Sequence, residues 1–239
     1  MGLTWWTNHA NIHTSGQIAN FADRLTEHPN GTNLVIFILI FTPAWHAWAD
    51  AKENANNYYN DDLLQRCMIL WIMALLVLYG NNANLVGESL DAQRATVAAY
   101  HLIRFTQLSF FFMYSVASHH HRTQNRIYAG MTLIAVCLWI PIYFEDISNR
   151  AKIGVAVVAI LWEQLAYLTG FTPAVPKMLG LEFTTAVDID HENDRYTAFT
   201  IVVLGEFTYS ILVGYVLPGF TLRDKACAEI TPDHQLLVA

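Results

Sequence analysis

Three charged residues stand near the middle of apolar stretches long enough to cross a bilayer: Arg104, Glu163 and Glu206. A bare charge at mid-depth costs at least ~2.5–3.5 kcal/mol unless it meets a partner or water. Each must therefore face the protein interior, as an ion pair, an anion site or a proton carrier. Arg104 does not stand alone. Tyr100, His101, Arg104 and Gln107 recur at steps of three and four, which places them on one face of a helix. Such a face suits anion binding or a proton relay, or an ion pair that orients a bundle. Both glutamates are candidate counter-ions. Glu206 is the favoured partner, because Gly205 permits close approach and Tyr209 and Ser210 add hydrogen bonds one turn later. A carboxyl left unpaired would be the proton carrier. Small residues flank both acids: Ala156 and Ala159 below Glu163, Ser210 and Gly214 beyond Glu206.

A second polar set closes the second apolar stretch. Asn81, Asn84 and Glu88 fall at i, i+3 and i+7, one face if the helix continues. They fit a broken or water-lined helix end, or for Glu88 an interfacial cap. His46 and Asp50 stand at i, i+4 after Pro43 and read as a kinked helix end in preference to a His–carboxylate pair near the interface. Consecutive His119, His120 and His121 cannot all face one metal from a helix and read as a solvated loop. The run Asp188, Asp190, His191, Glu192, Asp194 lacks the glycine and spacing of a calcium loop. His191-Glu192 begins a zinc-protease string, but Arg195 stands in the place of its second histidine. No phosphate loop and no nucleophile elbow is present. The sequence gives no catalytic motif and implies no metal or cofactor.

The elements that must position these residues are helices. Of 239 residues, 54% are hydrophobic and 14% charged, against about 25% charged in soluble domains. Mean hydropathy is +0.29. A spanning helix needs roughly 20 mostly apolar residues, and six candidate spans appear, at about 33–49, 67–87, 95–117, 127–144, 153–171 and 197–217. The fold class is all-α, a polytopic transmembrane bundle. Residues 1–32 form a polar amino-terminal segment, 33–217 the helical domain and 218–239 a polar tail. The acidic stretch 50–66 reads as a loop, as does 172–196. Trp45, Trp48, Trp71, Trp139 and Tyr143 fall near span ends as interfacial anchors. Cys67, Cys137 and Cys227 read as small buried apolar residues.

Net charge of −7 excludes nucleic acid as a partner. The bilayer is the obligatory partner, an ion or small polar solute the expected cargo, and oligomerisation is open. Lys and Arg divide equally between the two sides of a six-span topology, so orientation is not fixed.

The stretch His191-Glu192-Asn193-Asp194-Arg195-Tyr196, followed by Phe199 to Glu206 ending in Leu204-Gly205-Glu206, resembles the low temperature requirement A family of polytopic membrane proteins. Trp45-His46-Ala47-Trp48, Asp61-Asp62-Leu63 before Arg66, and Tyr100 to Arg104 agree with it. The run Trp71 to Asn84 looks like fungal members. The resemblance covers about 33–217. It departs at the start, where the family's Glu-aromatic-aromatic-Asp segment is missing, which implies that the first family helix is lacking. The resemblance implies a membrane protein without naming a substrate. Two functions follow: a transporter-like or channel-like protein with Asn81, Asn84, Glu88, His101, Arg104, Glu163 and Glu206 along its path, or a structural or sensory component whose charges only specify assembly.

Overall fold

The computed structural model describes residues 21, 29–58, 63–117, 121–172, 177–178, 180, 193–194, 196–201 and 203–205, with the side chains of 56–58 set aside. Among the described residues five long helices carry the architecture: α1 (Gly31–Tyr58), α2 (Leu63–Ala83), α3 (Leu90–Ala117), α4 (Arg122–Trp139) and α5 (Asn149–Phe171). A 3-10 turn, Ile140–Tyr143, prolongs α4, with Pro141 inside its first turn. A shorter apolar helix covers Tyr196–Gly205.

Four of these are long and apolar enough to cross a membrane: Gly31–Ala55, Leu63–Ala83, Arg122–Tyr143 and Asn149–Phe171. Helix α3 has the length, 28 residues, but is more polar. It packs against α1, α2 and α4, and Tyr100, Ile103, Arg104 and Gln107 are nearly inaccessible. Its polarity is thus turned into the bundle, as the spacing requires. Outward faces are apolar: Leu70, Trp71, Val77, Phe105, Phe112, Val158 and Leu161 are all exposed. In lipid this surface has no desolvation cost.

Local chemistry sets the ends. Asn30 Oδ1 accepts from Asn33 N at 2.8 Å, so Asn30 serves as the α1 cap. Ser89 Oγ and Ser148 Oγ cap α3 and α5 in the same way. Pro43 lies inside α1 without ending it. Gly87 adopts φ 96°, a left-handed turn that glycine tolerates.

Several expectations are corrected. Helix α1 does not stop at 49 but runs to Tyr58. Asp50, Lys52, Glu53 and Asn54 are buried helical residues, not loop. The second span ends at Ala83, so Asn84 and Glu88 lie in a turn and share no helical face with Asn81. Cys67 and Cys137 are exposed on the apolar exterior, where a thiol is as acceptable as an alkyl group; Cys227 lies outside the described residues. The sixth span is described only over Tyr196–Gly205.

Candidate functional site, a buried charge cluster under an apolar cavity

Arg104 occupies the middle of α3 and is only 2% exposed. Its guanidinium forks between two carboxylates. Nη1 donates to Asp50 Oδ2 of α1. Nη2 donates to Glu163 Oε2 of α5 at 2.7 Å. Nε donates to Tyr100 Oη, one turn earlier, at 2.8 Å. Each of the three nitrogens thereby has an oxygen partner, as a buried planar cation requires.

Glu163 is the most heavily coordinated acid. Its Oε2 also accepts from Tyr100 Oη at 2.5 Å and meets His46 Nδ1 at 2.7 Å. Its Oε1 accepts from Trp139 Nε1 at 2.9 Å. Asp50 has fewer donors, Arg104 on Oδ2 and Tyr128 Oη on Oδ1. Gln107 Nε2 donates to the Ala47 carbonyl at 2.6 Å, pinning α3 to α1. Four helices thus meet at one site that excludes solvent.

His46 Nε2 faces Gln164 Oε1 at 3.2 Å while Nδ1 faces Glu163. Both ring nitrogens meet oxygen acceptors. The ring thus ties α1 to two successive residues of α5. Buried charges persist only when paired and hydrogen-bonded in this way.

Polar groups continue from the cluster toward the far end of α1. His46, Asp50, Glu53 and Asn54 share one face of that helix. Glu53 Oε1 accepts from Tyr167 Oη at 3.1 Å and lies 3.4 Å from Lys52 Nζ. Lys52 also donates to Tyr196 Oη at 3.3 Å and sits over the Tyr196 ring.

On the opposite side the cluster is roofed by aromatics. Tyr79, Tyr100 and Trp139 floor a cavity of about 810 Å³ that opens between the starts of α1, α3 and α5. Ring contacts join the three: Tyr100 meets Trp139 edge-on at 5.5 Å and Tyr79 at 6.3 Å. Two of them, Tyr100 and Trp139, donate directly to Glu163.

Of the residues singled out by spacing, Arg104 and Glu163 are joined here. His101 is buried but turned aside, with Nε2 on the Val136 carbonyl at 3.0 Å and Nδ1 near Tyr143 Oη at 3.0 Å. Asn81 and Glu88 are exposed and Asn84 half-buried, away from the cluster. Glu206, the favoured partner of Arg104, lies outside the described residues; among those described, Asp50 and Glu163 hold the guanidinium. Sequence reasoning misplaced His46 and Asp50 at a kinked helix end, although their i, i+4 spacing was the correct signal. Trp139 is a donor to Glu163 rather than an interfacial anchor. Tyr128 went unnoticed, though the buried run Gln124, Asn125, Tyr128, Thr132 is a helical polar stripe.

This is an integral membrane protein of the multi-pass helical class, built around a buried charge cluster. A family model described as bacterial low temperature requirement A protein (LtrA) matches residues 16–221. The chain belongs to that family. No curated protein and no solved structure matches it.

Proposed function

We propose that the protein is transporter-like, with the cluster of His46, Asp50, Arg104 and Glu163 as the occluding centre of a path for protons, an ion or a small solute. One observation carries this reading. The cavity ends on Tyr100 and Trp139, and both donate to Glu163. A ligand that displaced either ring would remove a donor from the central carboxylate. Beyond the cluster, Glu53, Lys52 and Tyr167 continue the buried polar column. Cavity, cluster and column together run through the bundle, and the aromatic floor closes the path, as in an occluded state.

The test is flux. The full chain is reconstituted in liposomes with a trapped pH-sensitive dye, and a pH or ion gradient is imposed. Dissipation is expected for the native chain and not for Glu163→Gln, with both monodisperse in detergent. Absence of flux in the native chain for every screened ion and solute, or normal flux in Glu163→Gln, overturns the reading.

A second reading has its own support. Every member of the cluster is satisfied, with Glu163 accepting from four side chains. That completeness suits a permanent structural clamp in a sensory or scaffold component. The clamp reading predicts no flux, with large stability losses on breaking the cluster.

A further inference from the structure

The cavity above the cluster has an asymmetric lining with a definite chemistry. Its walls are aliphatic, from Val35, Leu39 and Ile40 of α1 and Ile153 and Ala156 of α5. At its mouth stands Lys152. This lysine is only 7% exposed, and its ammonium has no ion pair or hydrogen bond with any described residue. Lys52, the other buried lysine, has both. Lys152 lines the cavity and has no anion partner among the described residues, so it offers that cavity an unclaimed cation. Gln93, Thr32 and Asn149 stand at the same end of the cavity and can donate further hydrogen bonds. They belong to the first turns of α3, α1 and α5, so three helix amino-termini face this end, each carrying partial positive charge. Among the described residues the acids at this end are exposed: Asp91, 93% exposed and paired with Arg94 at 3.7 Å, Glu88 in the turn before α3, and Glu145 and Asp146 in the turn before α5.

We infer that this cavity binds a single-chain amphiphile with one anionic headgroup, carboxylate or phosphate, its head on Lys152 and its chain against the aliphatic walls down to Trp139. A volume of about 810 Å³ falls within the usual ligand range of roughly 300–1,000 Å³. Apolar walls with a few polar groups at one end match an amphiphile and mismatch a free hydrated ion. The inference deepens the transport reading by naming the ligand class of its cavity, and rests on taking that cavity as the mouth of the path.

Binding is measured on the full chain in detergent, by quenching of tryptophan fluorescence with a dibrominated long-chain carboxylate, which reaches Trp139 only from inside the cavity. The matched dibrominated alcohol and inorganic phosphate serve as competing probes. Saturable quenching is expected with the carboxylate, about 10- to 100-fold tighter than with the alcohol, the usual weight of a charge-assisted hydrogen bond. Lys152→Gln should erase that preference and Lys152→Arg should keep it. Trp139→Phe should remove the saturable part of the quenching. Inorganic phosphate should not compete. Equal affinity for carboxylate and alcohol, an unchanged preference in Lys152→Gln, or displacement by free phosphate each overturns the inference. These outcomes are separable from the flux test: binding without flux sinks transport and keeps the site, while flux without selective binding does the reverse.

Discussion

Replacing Arg104 with leucine should leave two buried carboxylates with unequal fates. Glu163 keeps three donors, His46 at 2.7 Å, Tyr100 at 2.5 Å and Trp139 at 2.9 Å. Asp50 keeps one, Tyr128. Glu163 thus remains held by its neighbours, and Asp50 becomes the stranded charge. At an effective dielectric constant of 20, a pair separated by 4 Å gains about 4 kcal/mol, and breaking a buried pair costs ~3–5 kcal/mol net. Arg104→Leu should therefore destabilise by about 3–5 kcal/mol. Adding Asp50→Asn should recover most of the loss, because it removes the stranded charge. Adding Glu163→Gln should recover little, because it leaves Asp50 stranded. The assay is reversible unfolding in mixed micelles by denaturing-detergent titration, followed by tryptophan fluorescence. A loss below 1 kcal/mol for Arg104→Leu would refute the pairing. Equal rescue by the two acid substitutions would refute the unequal fates of the two carboxylates.

Three further outcomes follow from the same geometry. Trp139→Phe removes the only described donor to Glu163 Oε1, and should cost about 1.5–3 kcal/mol in the same titration; a cost within about 0.5 kcal/mol would place the indole elsewhere. Gly170→Ala puts a methyl 2.7 Å from Tyr128 Cδ2, which must push the ring that donates to Asp50, at about 1–3 kcal/mol; a neutral result would mean the ring yields freely. For topology, single cysteines at Glu88 and Glu145 in a chain without other cysteines should label from one face of sealed vesicles with an impermeant maleimide, and labelling from opposite faces would break the helix order.

The helical architecture and the inward face of Arg104 were legible because both follow from one cost, that of polar groups in lipid. Apolar length located α2 and α5, and the 100-104-107 spacing located the buried stripe. The small residues Ala156 and Ala159 are buried below Glu163, as their spacing implied. Legibility failed where a residue's polarity was taken to mean solvent. Asp50, Lys52, Glu53 and Asn54 read as loop, but α1 is longer than its apolar stretch and buries them on α3, α5 and the Tyr196 helix. The amphipathic ring of Trp139 fits both an interface and a buried carboxylate, and only tertiary contact distinguishes these. Cys67 failed in the reverse sense, since small and apolar implies interior only when the exterior is water.

The separation of the cluster along the chain has a consequence for biosynthesis. Asp50 and Arg104 are 54 residues apart, and Arg104 and Glu163 a further 59. At roughly 5–20 residues per second, about 3–10 s pass between the emergence of α1 and that of its arginine, and as long again before Glu163 arrives. During the first interval Asp50 and His46 are in a membrane-bound nascent chain with neither Arg104 nor Glu163 yet made. Helix α1 must wait, beside the insertion machinery or short of full depth, until α3 delivers the countercharge. The cluster is thus also a checkpoint in time: a nascent chain halted after α2 carries an uncompensated acid that a quality-control protease or membrane chaperone could read as unfinished.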